Sequence, residues 1–161
     1  MYRALVAGLA AGCVAALVRL HVPGWPDVFV NSISTWLLLP FLVGLFTSSV
    51  PRAVVACLAQ LAAFYIVAGV SGLGTTVVLV AVWTVFAVGG GSVFGAAGRW
   101  WREGGLALLG AVFVLEGVLD TGWVWVAVGV ALTLSTYGLH HSSNTDQGRT
   151  MGKTRSNEGI K

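Results

Sequence analysis

Long apolar runs, broken by short polar or charged stops, make up most of this chain. They cover residues 4–18, 28–46, 53–70, 75–98, 106–119 and 123–139. Apolar residues follow one another in these runs without the strict alternation of a half-buried strand, so each run predicts a helix. A helix needs about 20 apolar residues, with a range of roughly 17–25, to cross a bilayer. Pro40 lies inside the second run, and Arg19 and Arg99 stop the first and fourth. The last two runs are separated by Asp120, Thr121 and Gly122. As one helix, 106–139 would extend roughly 50 Å at 1.5 Å per residue, against a hydrocarbon core of about 30 Å. Two short crossings therefore fit better than one. In lipid, every backbone polar group must be satisfied internally, which leaves helical bundles and closed barrels. Continuous rather than alternating apolar runs favour the bundle. The predicted fold class is all-α: a polytopic transmembrane bundle of six spans over 1–139, followed by a polar segment over 140–161.

Composition strengthens this reading. Of 161 residues, only 9% are charged and 57% are hydrophobic, and the mean hydropathy is +0.86. A soluble domain needs far more surface charge. Charge placement then predicts orientation. With the N-terminus inside, the inner segments hold Arg3, Arg52, Arg99, Arg102, Arg149, Lys153, Arg155 and Lys161, and the outer segments hold only Arg19. That asymmetry has the sense of the positive-inside rule, and a five-span arrangement would degrade it. Both termini are expected in the cytoplasm of a multi-pass cell-membrane protein. Trp25 and Trp123 fall at proposed outer ends and Trp100 and Trp101 at an inner one, where indole rings favour the headgroup region. Trp36 and Trp83 fall deeper and are expected to pack inside.

Several other motifs carry less. The first nineteen residues have the outline of a signal peptide, and Ala10-Ala11-Gly12-Cys13 that of a lipoprotein box, but a retained span gives the better charge balance. The segment over 140–161 is polar, without aromatics or apolar period, and reads as a disordered cytoplasmic tail. Its basic residues are able to touch anionic lipid. Gly148 and Gly152 have three residues between them where a phosphate-binding loop needs four, and no strand precedes them. His140 and His141 have no partner ligands in sequence, and Cys13 and Cys57 stand in different spans. No nucleophile–base pair or metal set is visible. An enzyme, a cofactor, a metal site and a nucleic-acid partner are therefore not expected.

Glycine, 22 residues of 161, is the commonest departure from a plain apolar helix. Gly8 and Gly12 are four apart in the first span, with Ala7, Ala11 and Ala15 repeating the spacing beside them. This small-xxx-small pattern lets a second backbone approach. It serves either packing within the bundle or docking of a membrane partner subunit through helix 1. Gly91 and Gly95 form a second such pair. The Gly89-Gly90-Gly91 triplet also weakens a helix, by roughly 1 kcal/mol per glycine, so a kink or break lining a cavity competes there with tight packing.

Glu116 is the outstanding single residue. A carboxylate within a span costs about 2.5–3.5 kcal/mol or more, so it usually faces an interior or a wet cavity. Asp120 lies one turn further on. Glu116 is either hydrated near the outer interface of a short span or part of a ligand pocket, with its side chain turned toward polar groups of the first three spans. Those groups are Asn31, Ser34 and Thr35 at the outer start of the second span, Gln60 and Tyr65 in the third, and Arg19, His21 and Asp27 around the first outer loop. Arg19, the one outer cation, is the natural partner of a carboxylate. The ligand-binding candidates are thus Glu116, Asp120, Arg19, Asn31, Thr35 and Gln60.

Three segments together carry a resemblance: Asn31-Ser-Ile-Ser-Thr-Trp36 through Gly44, Phe94-Gly-Ala-Ala-Gly-Arg-Trp-Trp-Arg102, and Leu115-Glu116-Gly117. They resemble an uncharacterised family of small actinobacterial integral membrane proteins, a domain of unknown function, over roughly residues 1–139. The resemblance implies no activity. The architecture is also similar to the S components of energy-coupling factor transporters, which are small six-helix proteins that bind a substrate and dock through small residues of helix 1. Two expectations follow. The first is a small-solute-binding or transport subunit with an outward-facing intramembrane pocket. The second is a non-catalytic scaffold or partner subunit that packs through its glycine faces.

Overall fold

The computed structural model describes residues 1–22, 32–72, 76–119 and 122–136. The described residues are all-helical. They form α1 (Tyr2–His21), α2 (Ile33–Thr47), α3 (Val50–Val70), α4 (Val77–Arg99), a 3-10 turn (Trp101–Glu103), α5 (Gly105–Leu119) and α6 (Trp123–Thr136). Three of them, α1, α3 and α4, are long and apolar enough to cross a membrane, while α2, α5 and α6 are shorter apolar helices. The 140–161 segment and the residues 23–31 that include Trp25 and Asp27 lie outside the described residues.

Local chemistry sets the ends. Ser32 is extended and its hydroxyl accepts from the Thr35 N–H, closing the start of α2. Ser48, in the left-handed region at φ 50°, ends α2 by returning its N–H to the Gly44 carbonyl. Pro51, in the first turn of α3, occupies a place where a missing N–H costs nothing. Thr76 caps α4 by accepting from the Leu79 N–H at 3.3 Å. Gly104, at φ 120°, supplies the turn into α5.

Packing fixes the direction of each helix. α1 lies along α3 in the same sense, with Ala4 beside Ala53 and Ala56 and, about three turns on, Ala16 beside Phe64 and Ala68. α4 runs against α3: Gly91 meets Val54 and Cys57, and Gly95 meets Ala53 and Val50. α5 runs against α2, since Phe41 packs with Leu109 and Phe113 at one level while Ser34 reaches Glu116 at another. α6 folds back on α5, with Gly110 against Gly129 and Thr133, and Gly117 against Val126. α1, α3 and α5 therefore point one way and α2, α4 and α6 the other. Arg3, Arg52, Arg99 and Arg102 fall at one end of the bundle and Arg19 at the other.

Small residues make this packing possible. A methyl added at Gly8 would overlap the Ala56 carbonyl oxygen and stand 2.8 Å from the Ala59 Cβ. At Gly12 it would overlap the Gln60 carbonyl oxygen and stand 2.8 Å from the Ala63 Cβ. The Gly8 and Gly12 face is thus covered by α3 of the same chain, and the buried stripe is Ala4, Gly8, Gly12 and Ala16. Ala7, Ala11 and Ala15 lie half-buried at its edge. Between α2 and α4, Gly44 faces the Gly95 carbonyl and Gly98 the Phe41 carbonyl. No break occurs at Gly89–Gly91. α4 is one helix from Val77 to Arg99 because the glycines that follow are held against α2 and α3.

Candidate functional site

Two features stand out, an anchored carboxylate and an apolar cavity. The carboxylate is Glu116, near the end of α5. Its Oε1 accepts from the Ile33 N–H at 2.7 Å, and its Oε2 accepts from the Ser34 N–H at 2.8 Å and the Ser32 hydroxyl at 3.0 Å. The Ser34 hydroxyl also donates to Oε2. The first N–H groups of any helix lack an intrahelical partner. In α2, Glu116 takes those of Ile33 and Ser34, and the Ser32 hydroxyl takes that of Thr35. An anion at a helix N-terminus is also favoured by the helix dipole, by about 0.3–1 kcal/mol and more where partly buried. Ser32 and Ser34 are both buried. A carboxylate that would be costly in hydrocarbon is thus matched to donors that would be equally costly if left bare. Gly117 lets the α6 backbone approach on the other side.

Among the described residues, the groups hydrogen-bonded to the Glu116 carboxylate are those of Ser32, Ile33 and Ser34. The Arg19 guanidinium sits 6.0 Å from the Phe64 ring centroid, on the α1–α3 side. Gln60 is buried in α3 where Gly12 packs, and its Oε1 has no hydrogen-bond donor among the described residues. The Thr35 Oγ1 is likewise buried without a partner there. Asn31 and Asp120 lie outside the described residues. Among the described residues, no three His, Cys, Asp or Glu side chains come together as metal ligands.

The cavity lies between α2, α3 and α4 and has a volume of about 310 Å³. Trp36 and Leu37 of α2, Cys57 and Leu61 of α3, and Trp83 and Ala87 of α4 form much of its wall. Among the described residues, the lining includes no carboxylate, amide, hydroxyl or guanidinium side chain, and neither Glu116, Arg19, Thr35 nor Gln60 belongs to it. Trp36 is braced edge-on against Phe64, with ring centroids 5.2 Å apart, and Trp83 leans on Phe86 at 5.9 Å. The two features meet at Ile33. Its side chain lines the cavity while its N–H is held by Glu116. The cap thereby fixes the turn of α2 that forms one edge of the cavity.

Residues 1–141 match a family of unknown function, DUF6518. The chain belongs to that family. The DUF6518 match takes in every described residue, so the cap and the cavity both lie within it. No curated protein and no solved structure matches the chain.

Sequence reasoning identified Glu116, Ser34 and the glycine pairs but missed Ser32 as the helix cap and the cavity altogether. The cap had a local signal, a serine directly before an apolar run. The cavity had none, because its wall is made of the same residue types as the rest of the bundle.

Proposed function

We propose that this protein is a non-catalytic, six-span cell-membrane protein, with both termini in the cytoplasm, that binds a small apolar molecule in the cavity between α2, α3 and α4. The cavity carries the proposal. Its volume of about 310 Å³ falls at the lower end of the range for small-molecule sites, about 300–1,000 Å³. Alternating helix directions and the collection of Arg3, Arg52, Arg99 and Arg102 at one end support the topology. Glu116, with four donors already on its two oxygens, serves as the cap that holds α2 in place and not as a ligand for solute. A solute-binding role parallels that of the S components of energy-coupling factor transporters, and a transport partner would then be expected. The scaffold reading rested on open glycine faces, and α3 covers the one on α1.

Native mass spectrometry of the full chain in mild detergent tests the binding role. A retained non-covalent small molecule is expected, and a bare protein mass in every detergent that keeps the fold would overturn it. For the topology, a reporter active only outside the cytoplasm is fused after Lys161. It should stay silent, and activity would sink the six-span arrangement.

A further inference from the structure

We infer that the cavity takes one acyl chain of a membrane lipid, entering sideways between α2 and α4 past Gly89. This rests on the reading that the cavity binds an apolar molecule, and the position of the mouth carries it. Gly89 lines the cavity, is exposed, and has nothing within 4 Å of where its Cβ would stand. It is flanked on the outward face by Phe86 and Val93 of α4, and Ile33 of α2 is also exposed at the cavity edge. Gly89 lies near the middle of α4. At 1.5 Å per residue it is roughly 15–18 Å from either end of that helix. In a hydrocarbon core about 30 Å thick, an opening at that height meets acyl chains and not water.

The wall chemistry agrees with that position. A polar solute would have to leave water, cross hydrocarbon and enter a space whose described lining offers no carboxylate, amide or hydroxyl side chain. Unpaired polar groups cost about 2–7 kcal/mol each on such a transfer. A methylene chain loses nothing by moving from lipid into this wall and gains contact with Trp36 and Trp83. At roughly 30 Å³ per small group, on the scale of water's share of liquid volume, the space holds about ten methylenes, a segment of one chain.

The test compares the intact protein with Gly89→Leu, which places a side chain in open space at the mouth. Both are reconstituted in phosphatidylcholine vesicles in which a minor fraction of the lipid carries bromine at mid-chain. Bromine quenches indoles it touches, and Trp36 and Trp83 flank the cavity. The intact protein should show additional quenching that Gly89→Leu lacks. Native mass spectra should show one phospholipid retained by the intact protein, with the bound fraction reduced about tenfold, equivalent to about 1.4 kcal/mol, in the variant. Val93→Phe, one turn along the same face, should act likewise and serves if Gly89→Leu fails to fold. Equal quenching and equal lipid retention in intact and variant proteins would overturn the inference. A retained apolar molecule other than a lipid, displaced by Gly89→Leu, would overturn the inference and leave the binding role standing. A bare mass without differential quenching would overturn both.

Discussion

The three helices that enclose the cavity meet in opposite ways at their two ends. At the arginine-rich end, α2 and α4 touch backbone to backbone, Gly44 on Gly95 and Gly98 on Phe41, and Gly95 of α4 lies against the Ala53 methyl of α3. Toward the other end the same helices carry Trp36, Leu61 and Trp83, and a space of about 310 Å³ opens between them. The difference follows from side-chain size along α4. Its second half presents Gly91, Gly95 and Gly98 to its neighbours, and its first half presents Trp83 and Ala87. Glycines draw helices together where lipid tails are as apolar as leucine and burial alone gives no preference. Two indoles braced by neighbouring rings act as spacers where the helices part. One end of the bundle is closed by glycine contacts and the other encloses a cavity.

The largest expected effect breaks the closed end. Gly98→Leu would drive a side chain into the Phe41 carbonyl and should destabilise the protein by about 3 kcal/mol or more, seen as loss of monodisperse protein in detergent. Gly95→Leu, which meets a methyl group on Ala53 at 2.5 Å, should follow the same direction. Val78→Leu, on the exposed face of α4, should leave the yield unchanged. Equal thermal stability of Gly95→Leu and Val78→Leu would refute the close packing.

The next effect is at the open end. Glu116→Ala strips the acceptor from two backbone N–H groups and two hydroxyls, and should lower stability by about 2–3 kcal/mol. Glu116→Gln keeps an oxygen at the helix start and should cost about 1 kcal/mol. Thermal unfolding in one detergent ranks the pair, and equal losses would show that charge and not acceptor geometry dominates the cap. Because Glu116 fixes Ile33, Glu116→Ala should also weaken retention of any cavity ligand. A smaller effect is expected of Ser32→Ala, about 1 kcal/mol for a lost helix cap, by the same melt. The smallest belongs to Gly89→Leu. With open space around the Cβ position, its melting free energy should lie within about 0.5 kcal/mol of the original, so that any lost binding reports on the cavity and not on folding.

The helices were legible because their hydrogen bonds are local. The apolar runs are properties of neighbouring residues, and where the helices are described the expected runs differ from them mainly at their ends. Glu116 was legible as an anomaly, since a carboxylate in a greasy run is costly wherever it points. Of its partners, Ser34 was among the expected polar groups, but the Ser32 hydroxyl and the Ile33 N–H were not. Its donors lie more than eighty residues away in sequence, and nothing local relates a residue late in α5 to the first turn of α2. Gln60 and Thr35 were expected beside it on polarity alone, but the register of α3 against α1 sends Gln60 to the Gly12 seam.

The sequence by itself determined that the chain is a set of apolar helices, where its positive charges lie along it, and that the Gly8–Gly12 and Gly91–Gly95 spacings allow close approach. Tertiary structure decided which faces look inward, that Glu116 caps α2, and that three helices part around a cavity. The physical reason is that lipid and protein interior are both apolar. A helix bounded by both carries almost no hydrophobic asymmetry to read, and its inward face is set only by the shapes of the helices it meets.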